Sequence, residues 1–352
     1  MSKVYFIKSK NNEADEILAD RLQALIKEKA LLDFIEEKDM VAVKTHFGES
    51  SKSGYPRPVI LKKIGELVKD KKALPFMTET STLYKGNRSN AIVHTEHAHK
   101  QGFGYDNTGM AVIMADGLYG DEETDVAIAG KIYDSVKIAT MIVKAQAFVC
   151  VSHFTGHLAA GFGATIKNMG MGCASRRGKM IQHSTAKPKI LKKSCTKCGM
   201  CVEWCPEGGI TMGEDSAIID SDKCIGCGEC LAVCRFDAVQ YNWGVTYEDL
   251  QKKVVEHAFG VYNSKKDKGI YINVLTRISK DCDCMPLYEN ICDDIGILVS
   301  TDPVAVDSAS LDLVEKTSGK ALSKLAYDIP YKFQIDYAAE LGFGSSKYEL
   351  IE

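Results

Sequence analysis

Eight of the 13 cysteines in this 352-residue chain fall within forty residues, as Cys195-Thr-Lys-Cys198-Gly-Met-Cys201-Val-Glu-Trp-Cys205-Pro206 and Cys224-Ile-Gly-Cys227-Gly-Glu-Cys230-Leu-Ala-Val-Cys234. This is the run C-x2-C-x2-C-x3-C written twice. Three thiolates on one tight loop cap three irons of a cubane, and the fourth cysteine, opening a helix, reaches the other cluster. The spacing therefore predicts crossed ligation. Cys195, Cys198, Cys201 and Cys234 would hold one [4Fe-4S] cluster, and Cys224, Cys227, Cys230 and Cys205 the other. A zinc site asks instead for two C-x2-C pairs separated by a loop. Arg235 stands where the motif usually has proline, a change that removes no ligand. Gly199, Gly226 and Gly228 let the backbone fold tightly enough to aim N–H groups at sulfur.

The segment from Leu191 to Asn242 resembles a bacterial two-cluster ferredoxin, a small α+β unit. Composition agrees with a redox role rather than a disulfide scaffold. A chain of this length buries a core without staples, and 13 cysteines cannot all pair. The opening residues carry no apolar signal region, so a reducing cytoplasm is the expected location. The longest apolar stretch, Ile138 to Val151, is interrupted by Lys144 and Gln146, which speaks against membrane insertion. A net charge of −3 provides no overall basic field, which argues against nucleic-acid binding.

Around this segment, short apolar runs alternate with helical patterns. Strands are expected at Val4–Ile7, Val41–Val43, near Phe76–Met77, and at Ala111–Met114, Ala147–Val151, Ile270–Val274 and Ile295–Val299. Helices are expected over 12–29, 58–70, 90–101, 134–144, 247–258 and 304–315. This rhythm predicts an α/β fold, a sheet covered by helices, into which the ferredoxin is inserted. The expected division is 1–190 and 243–352 for the two parts of the α/β body, with 191–242 for the insert. No nucleotide-binding fingerprint is present.

Ligands of open α/β sheets collect beyond strand ends. The stretch after the strand at Ala147–Val151 carries His153, Gly156-His157 and Gly161-Phe162-Gly163, then Lys167-Asn168-Met-Gly170, which together offer acid/base groups and a glycine-rich turn. A basic run from Arg176-Arg177 through Lys179 and His183 to Lys192-Lys193 leads into the clusters. It reads either as a solvated stretch or as a site for a phosphate-bearing ligand or an acidic redox partner. Lys44-Thr-His46-Phe-Gly48-Glu49, with Tyr55 and Arg57, and Thr78-Glu79 through Tyr84 form further polar loops after strands. Cys282, Cys284 and Cys292, among carboxylates, read equally as a further thiol or metal site and as buried free thiols. Cys150 and Cys173 read as packing or pocket residues, His94, His97 and His99 as surface residues, and Asp302-Pro303 as a helix start.

Taken together, Lys44-Thr-His46-Phe-Gly48-Glu49, Gly156-His157 through Gly170, Asp281-Cys-Asp-Cys284 and Asp294-Ile-Gly296 resemble the family of domain of unknown function 362, in its ferredoxin-containing subgroup. A remoter similarity links His157, Lys167 and His183, with the Gly161-Phe162-Gly163 turn, to the nickel-pincer lactate racemases. That resemblance implies an acid/base role for His157, a cofactor attachment at Lys167 and a metal contact at His183, with the phosphate near Arg176 and Arg177. His46 stands for the second catalytic histidine. Ala164-Thr165-Ile166 replaces the glycine pair that the racemases carry before the lysine.

Three functions follow as expectations. The first is an iron–sulfur protein moving electrons through two [4Fe-4S] clusters between an external redox partner and a site in the α/β domain. The second is a pincer-type oxidoreductase or isomerase acting on a small polar or carboxylate substrate, with an additional metal or nucleotide-derived cofactor and with His46, His153, His157 and Lys167 as catalytic residues. The third is a non-catalytic redox-sensing or scaffold protein.

Overall fold

The computed structural model describes residues 1–352 apart from 50–53, 85, 184–187, 225–228, 237, 242–246 and 286–287. An eight-stranded sheet runs in the order Tyr348–Ile351, Ser2–Lys8, Gly296–Ser300, Gly269–Leu275, Ala147–His153, Met40–Lys44, Leu74–Thr78, Ala111–Val112. The last five strands are parallel, while Gly296–Ser300 opposes both of its neighbours. The fold is thus α/β, with both faces of the sheet covered.

Alternation along the buried strands divides the core in two. Val149, Val151, Ile270, Ile272 and Val274 face one layer, with Leu18 and Leu22 of helix Asp15–Glu28 and Ile60 and Ile64 of helix Pro58–Asp70. Phe148, Cys150, Tyr271 and Leu275 face the other, with Val255 and Ala258 of helix Tyr247–Ser264 and Val306 and Ala309 of helix Pro303–Ser318. A side-chain period of two and burial on both faces account for strands that read as almost continuous apolar runs. Asp302 caps the last of these helices, accepting from the Val304 and Ala305 N–H groups at 2.9 Å, with proline at the first helical position.

From Met40–Lys44 the chain moves outward to Leu74–Thr78 and Ala111–Val112. It then returns to Ala147–His153 on the opposite side and continues to Gly269–Leu275. The strand order therefore reverses between Met40–Lys44 and Ala147–His153. Their carboxyl ends open a crevice at this switch point.

Residues 134–144 differ from the expected helix. Ser135–Ala139 is a strand antiparallel to Glu123–Ala127, followed by the short helix Thr140–Lys144. Val136 and Ile138 are buried while Lys137 reaches Glu123 and Asp125 across the pair at 3.1 and 2.8 Å. Alternating burial of β-branched residues, together with cross-strand charges, outweighs the weaker helical pattern.

The cysteine-rich stretch forms two small antiparallel pairs, Pro188–Ile190 with Val239–Tyr241 and Ile210–Met212 with Ala217–Ile219. Short helices Met200–Glu203 and Glu229–Val233 accompany them. Ile210, Ala217, Cys230 and Val239 make a separate small core, onto which Cys195, Cys201, Cys205 and Cys234 pack. This unit meets the α/β body where Met180 is buried against Leu83 and Leu231. Met180 belongs to helix Arg176–Gln182.

Candidate functional site

Strand ends supply most of the site. Met40–Lys44 ends in a fully buried lysine followed by Thr45 and His46, Leu74–Thr78 leads to Glu79 and Thr80, and Ala147–His153 delivers Ser152 and His153. Helix Thr165–Gly170 adds Lys167 and Asn168, and helix Arg176–Gln182 adds Lys179 and ends at His183. With Arg88 and the Cys282–Cys284 loop, all of these except the buried Lys44 and Thr45 line one cavity of about 680 Å³.

The floor is a buried charge network. Glu79 pairs with the Lys44 ammonium at 2.6 Å and with the Arg88 guanidinium at 3.4 Å. Lys44 also donates to Asn168 Oδ1 at 2.6 Å, and Arg88 reaches Glu49 at 2.7 Å and the Tyr84 hydroxyl. Burial opposes ionisation of Glu79, yet Lys44 foremost, with Arg88, holds its carboxyl down at about 2. Lys179 donates to Thr80 Oγ1 at 2.5 Å and to the Ala174 carbonyl at 2.6 Å, and burial lowers its ammonium to about 8.

Lys167 is different. Its amine has no ion pair or hydrogen bond among the described residues, and burial followed by the Arg88 charge lowers it to about 8. Its helix is anchored from below by Asp307, which accepts from the Thr165 and Ile166 N–H groups at 2.9 and 2.8 Å and from Asn273 at 2.7 Å. A lysine on a braced helix, with its amine unpaired, presents a cation to whatever enters the cavity.

Three of the histidines around it, His157, His46 and His183, are held neutral. Burial, then Lys167 and His183, depresses His157 well below the ordinary range. Its Nδ1 accepts from the Ala159 and Ala160 N–H groups at 3.2 and 2.9 Å, so its proton sits on Nε2. Burial and Arg88 depress His46 likewise, with Arg88 Nη1 2.7 Å from its Nε2. Burial, then Lys167, lowers His183 to about 4. His153 lies between Asp283 Oδ1, 2.7 Å from Nδ1, and the Thr276 carbonyl, 2.9 Å from Nε2.

His46, His153, His157, Lys167, His183, Cys282 and Cys284 thus meet in one cavity, as a site at the strand ends requires. Other residues do not join it. Arg176 lies against the backbone at Tyr119 and Gly120, and Arg177 reaches Glu123 at 3.6 Å, both away from the cavity lining. Cys292 is buried in the core, where burial pushes its thiol up to about 11. Cys282 and Cys284 are joined to each other as a disulfide. A site of three free thiols is therefore not formed. His94 and His97 are buried rather than exposed, whereas His99 is exposed. His97 meets the Gly48 carbonyl at 3.0 Å, and His94 packs edge-on to Phe47. Arg88 carried no signal in the sequence: it sits in a polar loop, and only the fold places it between Glu79, Glu49 and His46.

In the cysteine-rich unit, a second, small cavity is walled by Cys195, Cys198, Cys201 and Cys234, the first of the two expected ligand sets. Burial, and then Cys195 and Cys198 with Cys234 beyond, pushes the Cys201 thiol up. Among the described residues no three His, Cys, Asp or Glu side chains converge on one point as a single metal ion requires. Four thiols around one cavity are the donor set that a [4Fe-4S] cluster uses. Of the other set, Cys205 accepts a hydrogen bond from the Gly209 N–H at 3.2 Å, and Cys205 and Cys230 share the small core. Cys227 lies outside the described residues.

Residues 41–312 match the family model described as Domain of unknown function (DUF362). The chain belongs to this DUF362 family. Curated relatives cover only a minority of it. Pyruvate synthase subunit PorD of Methanothermobacter marburgensis is 37% identical over 78 residues, which is 22% of this chain and 89% of that protein. Ferredoxin 7Fe of Hydrogenibacillus schlegelii is 50% identical over 55 residues, 15% of this chain and 70% of the ferredoxin. The DUF362 chain therefore contains a ferredoxin-type iron–sulfur segment. Among solved structures, the lactate racemase apoprotein from Thermoanaerobacterium thermosaccharolyticum overlays with a TM-score of 0.40 at 14% identity, over 78% of this chain and 51% of that one. No helix of the described residues is long and apolar enough to cross a membrane.

Proposed function

We propose that this protein passes electrons through two [4Fe-4S] clusters between an external redox partner and the cavity of its α/β body. The clusters belong to the insert at 191–242, the body to 1–190 and 243–352. The observation that carries this reading is where the two units meet. Helix Glu229–Val233, at the cluster ligands Cys230 and Cys234, packs on helix Arg176–Gln182, which carries Lys179 and ends at His183 in the cavity wall. One element thus joins the cluster unit to the cavity.

Within the cavity, Lys167 binds an anionic substrate and His157 moves a proton at Nε2. Glu79, Lys44 and Arg88 hold the floor rigid. The clusters supply single electrons. The protons that a reduction consumes come from Lys167 and His157. Exposed lysines at Lys192 and Lys193, just before Cys195, suit an acidic redox partner.

Anaerobically purified protein is expected to contain about eight irons per chain. Cys201→Ser is expected to lower that to about four and to remove one reducible centre from the electron paramagnetic resonance spectrum. An iron content near zero, with bound zinc, overturns the assignment. Reoxidation of the reduced clusters by protein partners alone, with no small anion accelerating it, identifies a carrier or sensor rather than an enzyme.

A second reading rests on the convergence of His157, Lys167 and His183 in one cavity. In a pincer-type enzyme Lys167 would tether the cofactor, His183 would bind its metal and His157 would act as acid/base. Protein from its native host would then carry a mass increment on Lys167 together with nickel. An unmodified Lys167 without nickel removes this reading.

A further inference from the structure

The Cys282-Asp283-Cys284 loop projects a disulfide into the large cavity, on its wall beside His153. A structural staple is a poor account of it. The bridge spans a single intervening residue, and the chain-entropy stabilisation of a disulfide is smallest for the shortest loops. The loop is already held without it: the Tyr327 hydroxyl donates to Asp281, Ser279 Oγ donates to the Asp281 carbonyl at 2.7 Å, and the Met285 N–H donates to the Cys282 carbonyl at 2.9 Å. Disulfides of reducing compartments are mostly catalytic or redox-sensing. The intervening residue is itself informative, because Asp283 Oδ1 lies 2.7 Å from His153 Nδ1. A hydrogen-bonded carboxyl–imidazole pair therefore stands at the bridge, and the bridge opens onto the same cavity as Lys167.

We propose that Cys282 and Cys284 form a redox-active dithiol/disulfide couple that collects electrons from the iron–sulfur segment at the cavity wall. Two reduced clusters give up one electron each, the S–S bond breaks, and two protons add to give two thiols, with both clusters returned to the oxidised state. Asp283 and His153 relay the protons, which solvent replaces. The couple converts two one-electron deliveries into one two-electron unit, which a reaction on a closed-shell anion requires. This rests on the electron-transfer reading above.

The test reduces the holoprotein anaerobically with a low-potential viologen, traps thiols with N-ethylmaleimide and weighs the peptide that contains Cys282 and Cys284. No adduct on the oxidised protein and two adducts after cluster reduction support the proposal. Clusters of Cys284→Ser are then expected to stay bleached after the viologen is exhausted, whereas those of the parent recover their absorbance. Full alkylation of both cysteines before any reduction overturns the couple, as does a bond that stays closed while the clusters are reduced. Failure of the underlying reading looks different. If the protein holds no iron, titration with a dithiol buffer decides alone: a bond that opens reversibly preserves the couple with another electron source, and one that does not form or does not open removes it.

Discussion

Glu79→Ala is expected to destabilise the protein by about 3–5 kcal/mol, the cost of leaving a buried charge without its partner. Lys44 is fully buried and Arg88 nearly so, and both lean on the same carboxylate. Removing Glu79 leaves Lys44, among the described residues, with neutral acceptors alone, Asn168 Oδ1 and the Thr45 carbonyl. The Lys44→Met/Glu79→Leu double variant is expected to recover much of the loss, because apolar pairs of similar volume avoid desolvating either charge. Urea midpoints at neutral pH measure all three proteins. If the double variant is as unstable as Glu79→Ala, the cost is one of packing and not of charge. The pH dependence has a defined sign. The Glu79 carboxyl ionises at about 2 in the folded protein against an ordinary 4.5. Its contribution is therefore complete above about 4.5 and is lost as the pH falls toward about 2.

Lys167→Met is expected to slow substrate-driven reoxidation of the clusters by about a hundredfold or more, in the range of general acid–base contributions, with iron content and urea midpoint unchanged. The amine has no partner to lose among the described residues, so structural damage is not its expected effect. Because burial and Arg88 lower its ammonium to about 8, the parent rate should fall as the pH rises through 8, where the proton donor and cation is lost. Lys167→Arg keeps the charge above pH 8 but does not release a proton, so it should retain substrate binding with a reduced rate and a flattened upper limb. A parent profile with no inflection near 8 counts against Lys167 as the donor.

Much of the fold was legible along the chain. Helix Pro58–Asp70 and the buried strands follow from runs whose apolar period matches their burial, and Asp302-Pro303 from local capping chemistry. Residues 134–144 were not, because an antiparallel partner at Glu123–Ala127 decides their conformation and lies outside any local window. The site was legible in part. His153, His157 and Lys167 follow one strand closely enough that the switch point gathers them. His46 arrives from a different strand, and Arg88 from a loop whose polar residues look like any solvated turn. The buried His94 shows the converse failure: a histidine in a helical stretch reads as exposed until the loop carrying Phe47 is packed against it.

The sequence by itself determined the chemistry that depends on local spacing. Three cysteines within one tight loop set their mutual spacing before any distant contact forms, although the fourth thiol at the small cavity, Cys234, arrives from the other run, and the alternation of strands and helices decides that an α/β sheet is built. Tertiary structure alone decided which of the cavity's cations are paired and which, among the described residues, is not. Lys44 meets Asn168 across 124 positions of sequence, and His153 meets Asp283 across 130. No local pattern encodes such meetings, since they arise from where the strand order reverses. The same long-range closure leaves Lys167 unpaired among the described residues and turns a C-x-C loop toward the cavity, because burial gives an amine or a sulfur its reactivity only once the walls around it exist.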